Sequence, residues 1–278
     1  MGGSSRKPPV LKRFGQHFLH DQSVLQSIAD AVSAEPNETI IEIGPGRGAL
    51  TDLLAARPNR LVAVEIDRLL AGSLRERYAA KANVSIVEQD VLEVDIASLA
   101  DGPFVVAGNV PYYITTPILF HVMRPPYPRH AVFLVQREVA ERMVSPAGSK
   151  SYGALSANLQ AVATAEIIRN VPPGAFSPPP KVDSAVVRVV PRADPIIAPD
   201  EVNSYRGFVQ ALFGMRRKQI GNSLRSAANI STEDAAAVLS KLGMDPKGRA
   251  ESLSPSALAR LMRASRVGRV ADGRTTPE

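Results

Sequence analysis

Thr39-Ile40-Ile41-Glu42-Ile43-Gly44-Pro45-Gly46-Arg47-Gly48-Ala49 decides the fold of this chain. The short run Thr39–Ile43 reads as a buried strand, and it opens directly into a loop with glycine at 44, 46 and 48. Glycines there let the backbone turn tightly and approach a ligand closely. Ala49–Ala56 then reads as a helix. Four further apolar runs follow the same grammar: Leu61–Ile66, Val84–Val87, Phe104–Ala107 and Ala131–Val135. Helical stretches separate most of them, as at Leu69–Ala79, and residues 21–34 place Val24, Leu25, Ile28, Ala29 and Val32 at helical spacing ahead of the first strand. Strands alternating with helices predict an α/β fold with a doubly wound, mostly parallel sheet. Ala165–Val171 and Ser184–Val190 predict an antiparallel pair at one sheet edge, joined by the proline-rich stretch Pro172–Lys181.

Beyond Pro191 the grammar changes. Ala193–Pro199 reads as a linker, and only helices follow: Val202–Phe213, Lys218–Ala227, Glu233–Leu242 and Ser256–Ala264. Thr232, or Ser231 before it, suits an N-cap, and Ser254 followed by Pro255 suits the last helix start. The expected organisation is a basic arm over residues 1–12, a ligand-binding α/β domain over 13–195 and a small helical domain over 196–278.

The composition of the 278 residues, 45% hydrophobic and 22% charged, is that of a soluble globular chain. The absence of cysteine excludes disulfides, thiol catalysis and cysteine-ligated zinc. Four histidines (His17, His20, His121, His130) make no metal-ligand spacing, so no metal is expected. Nothing resembles a membrane span or signal segment, which makes the cytosol the expected compartment. The net charge of +6 is unevenly placed. Residues 201–278 hold 13 Lys and Arg against 7 Asp and Glu, while residues 1–200 balance at 20 of each. The surplus therefore sits in the helical part and predicts a polyanionic partner, against the alternative of a merely solvated basic face. Arg216-Arg217-Lys218 stands at an expected helix start, where cations oppose the helix dipole. A phosphate-contact role explains that placement, positioning nucleic acid without reading its sequence.

The strand ends carry the chemistry. The glycine loop loosely satisfies G-x-G-x-x-G/A and alone does not separate a nicotinamide dinucleotide from S-adenosylmethionine. The second strand ends at Glu65, 21 residues after Gly44, where an acid can take both ribose hydroxyls. The third ends at Asp90, placed for an adenine edge. The fourth runs into Gly108-Asn109-Val110-Pro111-Tyr112-Tyr113. An Asn and a Pro-Tyr pair at a strand end suit an exocyclic amine on a flat ring. The Asn oxygen and the next backbone carbonyl accept the two amine hydrogens, the nitrogen lone pair is left facing an electrophile, and the Tyr ring lies on the base. The bland alternative for Pro111-Tyr112 is a turn closing a strand. The ordered set of strand-end acids and Asn-x-Pro-Tyr fits a methyltransferase better than a dehydrogenase.

These motifs, with Phe14-Gly15-Gln16-His17-Phe18-Leu19 and Phe176 through Val186 (FSPPPKVDSAV), resemble the ribosomal RNA adenine dimethyltransferases over about Arg13 to Arg263. The bacterial small-subunit enzymes, whose loss gives kasugamycin resistance, are the nearest match. The resemblance implies a seven-stranded Rossmann-like class I methyltransferase sheet with a helical C-terminal domain. It implies N6,N6-dimethylation of two adjacent adenosines near the 3′ end of 16S rRNA, from S-adenosylmethionine, late in 30S assembly. The sequence leaves oligomeric state open, with a monomer as the starting expectation. By motif, His17 and Leu19 would line the cofactor pocket, the Gly44–Gly46 loop would pass the methionine moiety, Glu65 would hold the ribose, Asp90 the adenine, and Asn109 would border both ligands. Val110 replaces a frequent Leu, a change without consequence for a backbone carbonyl. Tyr112 and Phe176 are the candidates for the two faces of the target base; packing into the core is the alternative for both.

Three rivals predict different behaviour. A 23S rRNA adenine N6-methyltransferase conferring macrolide resistance shares the first-domain motifs, but PPPKVDSAV and the Met215–Leu224 segment favour the small-subunit reading. A non-catalytic ribosome assembly factor has no need of the glycine loop, Glu65, Asp90 and Asn109. An NAD-dependent oxidoreductase predicts a response to the nicotinamide and none to S-adenosylmethionine.

Overall fold

Strand β2 (Thr39–Ile43) lies between β3 (Leu61–Glu65) and β5 (Phe104–Asn109), parallel to both. Outside these, β4 (Val84–Glu88) pairs parallel with β3, and β6 (Ala131–Gln136) parallel with β5. The chain steps outward from β2 to β3 and β4, then returns past β2 to β5. That reversal creates a crevice beyond the C-terminal ends of β2 and β5, the usual ligand position in such sheets. The computed structural model describes residues 17–215 and 218–271; the expected arm over residues 1–12, Arg216 and Arg217 lie outside them.

The sheet order is β4-β3-β2-β5-β6-β9-β7, seven strands among the described residues. Strand β9 (Ser184–Pro191) is antiparallel to β6, and β7 (Ala163–Val171) is its neighbour at the edge. This is the Rossmann-like α/β sheet expected from the alternating runs. Helix α1 (Gln22–Val32) is capped by Asp21, which accepts from Ser23 and Val24, and buries Val24, Leu25, Ile28, Ala29 and Val32. Burying an aliphatic side chain of that size contributes about 1.5–3 kcal/mol. Helices α2 (Ala49–Leu54) and α3 (Arg68–Arg77) follow β2 and β3, α4 (Thr115–Val122) follows β5, and α5 (Arg137–Val144) follows β6.

A bidentate ion pair closes the opposite end of the sheet. Glu38, just before β2, accepts from Arg129 Nε and Nη2 at 2.6 Å each, and Arg129 also donates to the Ser33 carbonyl at 2.8 Å. The pair holds the buried Glu38 carboxyl below the usual carboxylate range.

By contacts the chain forms two compact units, residues 1–140 with 165–191, and residues 141–164 with 192–278. The second is therefore not one linear segment: residues 141–164, with α6 (Ala154–Gln160), cluster with α7 (Val202–Phe213), α8 (Ile220–Ala228), α9 (Thr232–Lys241) and α10 (Pro255–Ala271). Two buried tyrosines tie them. Tyr152 donates to the Leu253 carbonyl at 3.0 Å and meets the Phe213 ring edge-on, and Tyr205 reaches the carbonyls of Ala157 and Pro255. Ser231 caps α9 by accepting from the Asp234 N–H at 3.0 Å. The linker read over Ala193–Pro199 also joins this unit, with Ile197 buried and the Ile196 N–H donating to the Ala161 carbonyl.

Candidate active site

A cavity of about 190 Å³ opens at the C-terminal ends of β2, β3 and β5, with residues 89–91 after β4 on its wall. The loop after β2 forms one wall, with backbone φ of +67° at Gly44, +58° at Gly46 and +81° at Gly48. Gly48 is required twice over. Its left-handed conformation disfavours any other side chain, and a Cβ there would lie 2.9 Å from Leu74 and 3.0 Å from the Tyr78 hydroxyl. The same tyrosine fixes the loop's exit, donating to Asp52 on α2 at 2.7 Å, while Arg77 pairs with Asp52 and donates to the Arg47 carbonyl at 3.0 Å. In the adjoining strand, a Cβ on Gly108 would approach the Ile43 carbonyl to 2.9 Å, so β5 packs closely on β2 just before Asn109.

Glu65, the last residue of β3, is buried, with both carboxyl oxygens engaged. Oε2 accepts from the Gly46 N–H at 3.0 Å and Oε1 from the Asp67 N–H at 2.9 Å. It thereby ties the glycine loop to the entry of α3, whose N-cap is Asp67. Burial raises the Glu65 pKa, against the pull of these N–H donors. Asp90 lines the same cavity and accepts from the Leu92 N–H at 2.9 Å. Ile66 and Val91, each next in sequence to one of these acids, also line the cavity and offer apolar contact to a flat ring.

The N-terminal segment covers the other side. β1 (Phe18–Leu19) pairs antiparallel with β8 (Phe176–Ser177), and the Ala175 carbonyl accepts from the His20 N–H at 2.9 Å. This brings His17 and Leu19 to the cavity. His17 Nδ1 lies 2.8 Å from the Pro178 carbonyl; a carbonyl only accepts, so the proton is on Nδ1. Asn109 Nδ2 donates to the His17 carbonyl at 3.3 Å. An amide that donates with its nitrogen on one side presents its oxygen on the other. The Tyr112 ring lies beside the His17 imidazole, centroids 6.0 Å apart and planes 24° from parallel, and its hydroxyl meets Ser184 Oγ at 2.6 Å. Tyr112 is thus held at both ends with its ring at the cavity wall.

His17, Leu19, Gly44, Gly46, Glu65, Asp90, Asn109 and Tyr112 all line this one cavity. Phe176 does not. It is 3% exposed and belongs to the core cluster with Leu25, Ile28 and Ala175, in register with Leu19. Its ring packs in the core, the alternative stated for it, and the cavity wall carries Tyr112 alone of the two candidate base-stacking rings. The proline-rich segment serves through its backbone, which holds β1 and His17. Lys218 is exposed ahead of α8, whereas its partners in the basic cluster lie outside the described residues. Four cavity features escape the motif reading: Glu42 on the wall, Ser184 behind Tyr112, Arg47 with its guanidinium 4.1 Å from the Phe18 ring centre, and Tyr113 at 66% exposure. Ser184 lies inside the quoted VDSAV motif, but only the fold shows what its hydroxyl touches. No group of metal-ligating side chains occurs among the described residues.

A parallel sheet with a glycine loop after its first strand, an acid after its second and Asn-x-Pro-Tyr after the fourth defines an S-adenosylmethionine-dependent methyltransferase of class I architecture. The family model for ribosomal RNA adenine dimethylase matches residues 10–264, and the chain belongs to that family. A ribosomal RNA small subunit methyltransferase A from Acidobacterium capsulatum is 41% identical over 276 residues, covering 94% of this chain and 97% of the relative. Among solved structures, a dimethyladenosine transferase from Plasmodium falciparum superposes with a TM-score of 0.78 at 23% identity, covering 91% of this chain and 98% of that one. The 23S rRNA methyltransferase ErmE gives 0.68 at 28% identity, with 90% and 99% covered.

Proposed function

We propose that this chain transfers methyl groups from S-adenosylmethionine to N6 of two adjacent adenosines near the 3′ end of 16S rRNA, on the 30S subunit or its precursor. The observation that carries the reading is the convergence of Asn109 and Tyr112 with Gly44, Glu65 and Asp90 on one cavity. A methyl donor and a base amine can meet only where cofactor and target sites adjoin, and Asn109 stands at that boundary. The relative at 41% identity is named for the small subunit, and the 28% neighbour for 23S rRNA, which favours the small-subunit substrate. Work on ribosomal RNA fits a cytoplasmic enzyme, and a single chain contributes every residue lining the cavity, which is compatible with action as a monomer.

In this reading Glu65 and Asp90 hold the adenosyl group, and the glycine loop with His17 and Leu19 encloses the remainder. The sulfonium supplies an activated methyl group. Asn109 Oδ1 accepts one hydrogen of the target amine. The Pro111 carbonyl is already taken by the Ile114 N–H and the Thr115 hydroxyl, so the Val110 carbonyl is assigned the second. Tyr112, held by Ser184 and His17, carries one face of the extruded base. Holding the amine in line with the methyl carbon supplies much of the rate, and no general base is required, because the methylated amine becomes acidic and loses its proton to water. Labelled S-adenosylmethionine with 30S particles lacking the modification tests the reading. Label mapped to adjacent 16S adenosines supports it; label only on 23S rRNA, or none, overturns it.

A further inference from the structure

Glu42 is the one buried acid of this cavity with no structural use so far. It sits in the middle of the sheet, in register with Ala63 on β3 and Ala107 on β5, and it is 2% exposed. The flanking alanines leave room for its side chain and offer it nothing polar. Leu25, Ile28 and Leu50 share the cavity wall with it. Its Oε2 is buried without a hydrogen-bond partner in good geometry among the described residues, and the neighbouring Thr51 hydroxyl eases the effect of burial without outweighing it. The charged and titratable groups acting on it are Glu65 from β3 and Asp52 from α2, and the Tyr78 hydroxyl just after α3 feels it directly. The acids among them repel a negative charge. The lining arginine and histidine are turned to other tasks, Arg47 to the Phe18 ring and His17 to the Pro178 carbonyl. A carboxylate in this position would be a buried charge with only the Thr51 hydroxyl to ease it and acids beside it, which a protein avoids by keeping the proton.

We propose that Glu42 carries a proton while the cofactor cavity is empty and releases it to solvent when the cationic methyl donor binds, so that it favours S-adenosylmethionine over its neutral-sulfur product. This rests on the methyltransferase reading above. The donor at neutral pH brings an ammonium, a sulfonium and a carboxylate, net +1; the product, S-adenosylhomocysteine, lacks the sulfonium and is net neutral. A positive charge entering an apolar cavity beside an acid favours the ionised acid. The ionised acid in turn favours the charged ligand, since proton and ligand are linked through one site. After transfer the sulfur is neutral, the carboxylate loses its partner, and reprotonation favours product release. Burial, with Glu65 and Asp52 adding repulsion, pushes Glu42 up to about 8, which leaves it mostly protonated at pH 7.

Titration calorimetry of the whole protein with S-adenosylmethionine, in buffers of different ionisation heat at pH 7, reads the proton count directly. The expected result is release of a large fraction of one proton with the donor and clearly less with S-adenosylhomocysteine. The donor's own amino group, made more acidic by the sulfonium, takes up rather than releases protons if bound as the ammonium, so it cannot imitate the expected release. Glu42→Gln, which is close in shape to the protonated acid, should bind the donor without that release and should narrow the preference for donor over product. For the wild type, that preference should rise with pH between 6 and 7.5, approaching a limit of tenfold per pH unit for one coupled proton. Equal proton counts for the two ligands, or release undiminished in Glu42→Gln, overturn the proposal. If the variant does not fold, a wild-type preference that is flat with pH overturns it. Absence of any binding heat with the donor would remove the functional reading, and this proposal with it.

Discussion

Asn109 stands at the end of β5 with its amide nitrogen tied to the His17 carbonyl, so its role depends on the oxygen it leaves for the cavity. Asn109→Ala removes that acceptor and the tie together. Turnover on 30S particles should fall by about 100-fold or more, the scale on which loss of reactant alignment acts. The circular dichroism spectrum should stay native, and near-wild-type turnover would defeat the assigned role. Glu42 makes a separate statement about the ligand-free protein. Its folded-state pKa, about 8, lies above the ordinary 4.5, so the folded state holds a proton that the unfolded chain gives up across that window. Stability from this group is therefore complete below pH 4.5 and is lost as pH rises toward 8, with a slope of at most about 1.4 kcal/mol per pH unit. Urea unfolding of wild type and Glu42→Gln at pH 5, 7 and 9 should show the two curves diverging with pH, the variant losing less. Parallel pH dependences would show that Glu42 is not the group. At this scale the sequence displays the residues that end strands, because a strand end before a turn is visible in the pattern: Gly44, Glu65, Asp90 and Asn109 all reach the cavity. It does not display Glu42, hidden in mid-strand, nor the Ser184 hydroxyl under Tyr112. Nor does it say which way Phe176 faces, since an aromatic ring has the same letter whether it meets a ligand or the core, where this ring lies.

The strands were legible because burial on both faces of a parallel sheet demands nearly unbroken apolar runs. The run ending at Ala107 extends in the structure to Asn109, which makes the catalytic candidate part of the sheet rather than of a loop. The β1–β8 ribbon was not legible: each strand has two residues, and the pairing joins segments far apart in sequence. The short helices α5 and α6 were equally obscure, with eight and seven residues, too few to establish a period. Elements also depend on ties that no periodicity shows. The Arg129–Glu38 pair anchors the segment entering β2 to the one entering β6, and Glu38 is buried while Arg129 is partly open to water. Removing one partner of a buried pair leaves an uncompensated charge, at a cost of about 3–5 kcal/mol. Arg129→Ala should fall at the low end, about 3 kcal/mol, because water reaches the vacated site. Denaturant unfolding at pH 7 measures it. The difference should shrink below pH 4.5: Glu38 has a lowered folded pKa, so its contribution is present above the unfolded value and is lost as pH falls and the carboxyl takes a proton. A loss under 1 kcal/mol at pH 7 would show that the pair is merely decorative.

At the scale of the whole molecule, charge and chemistry occupy different stretches of the chain. The cavity is lined from residues 17–118, within one compact unit, whereas the entire surplus of +6 lies in residues 201–278, within the other. Part of that positive charge is spent internally: Arg263 donates to both carboxyl oxygens of Glu201, at 2.8 and 2.6 Å, and lowers that acid to about 2. Lys218 is exposed, and it is contiguous in sequence with Arg216 and Arg217. A ribosomal substrate presents dense phosphate, and its contacts with such a cluster release counterions. Replacing Arg216, Arg217 and Lys218 together by Ala should weaken binding to 30S particles. It should also flatten the dependence of log K on log salt by about 2–3, from roughly 0.9 per lost phosphate contact on a duplex-like estimate. S-adenosylmethionine affinity should be unchanged, because all the residues lining the cavity belong to the other unit. A cluster that serves only helix packing predicts the reverse pattern, a lower melting temperature with the salt slope intact. Both quantities can be measured on the same triple variant, and an unchanged slope would assign the surplus charge to the solvated surface and leave particle recognition to other residues.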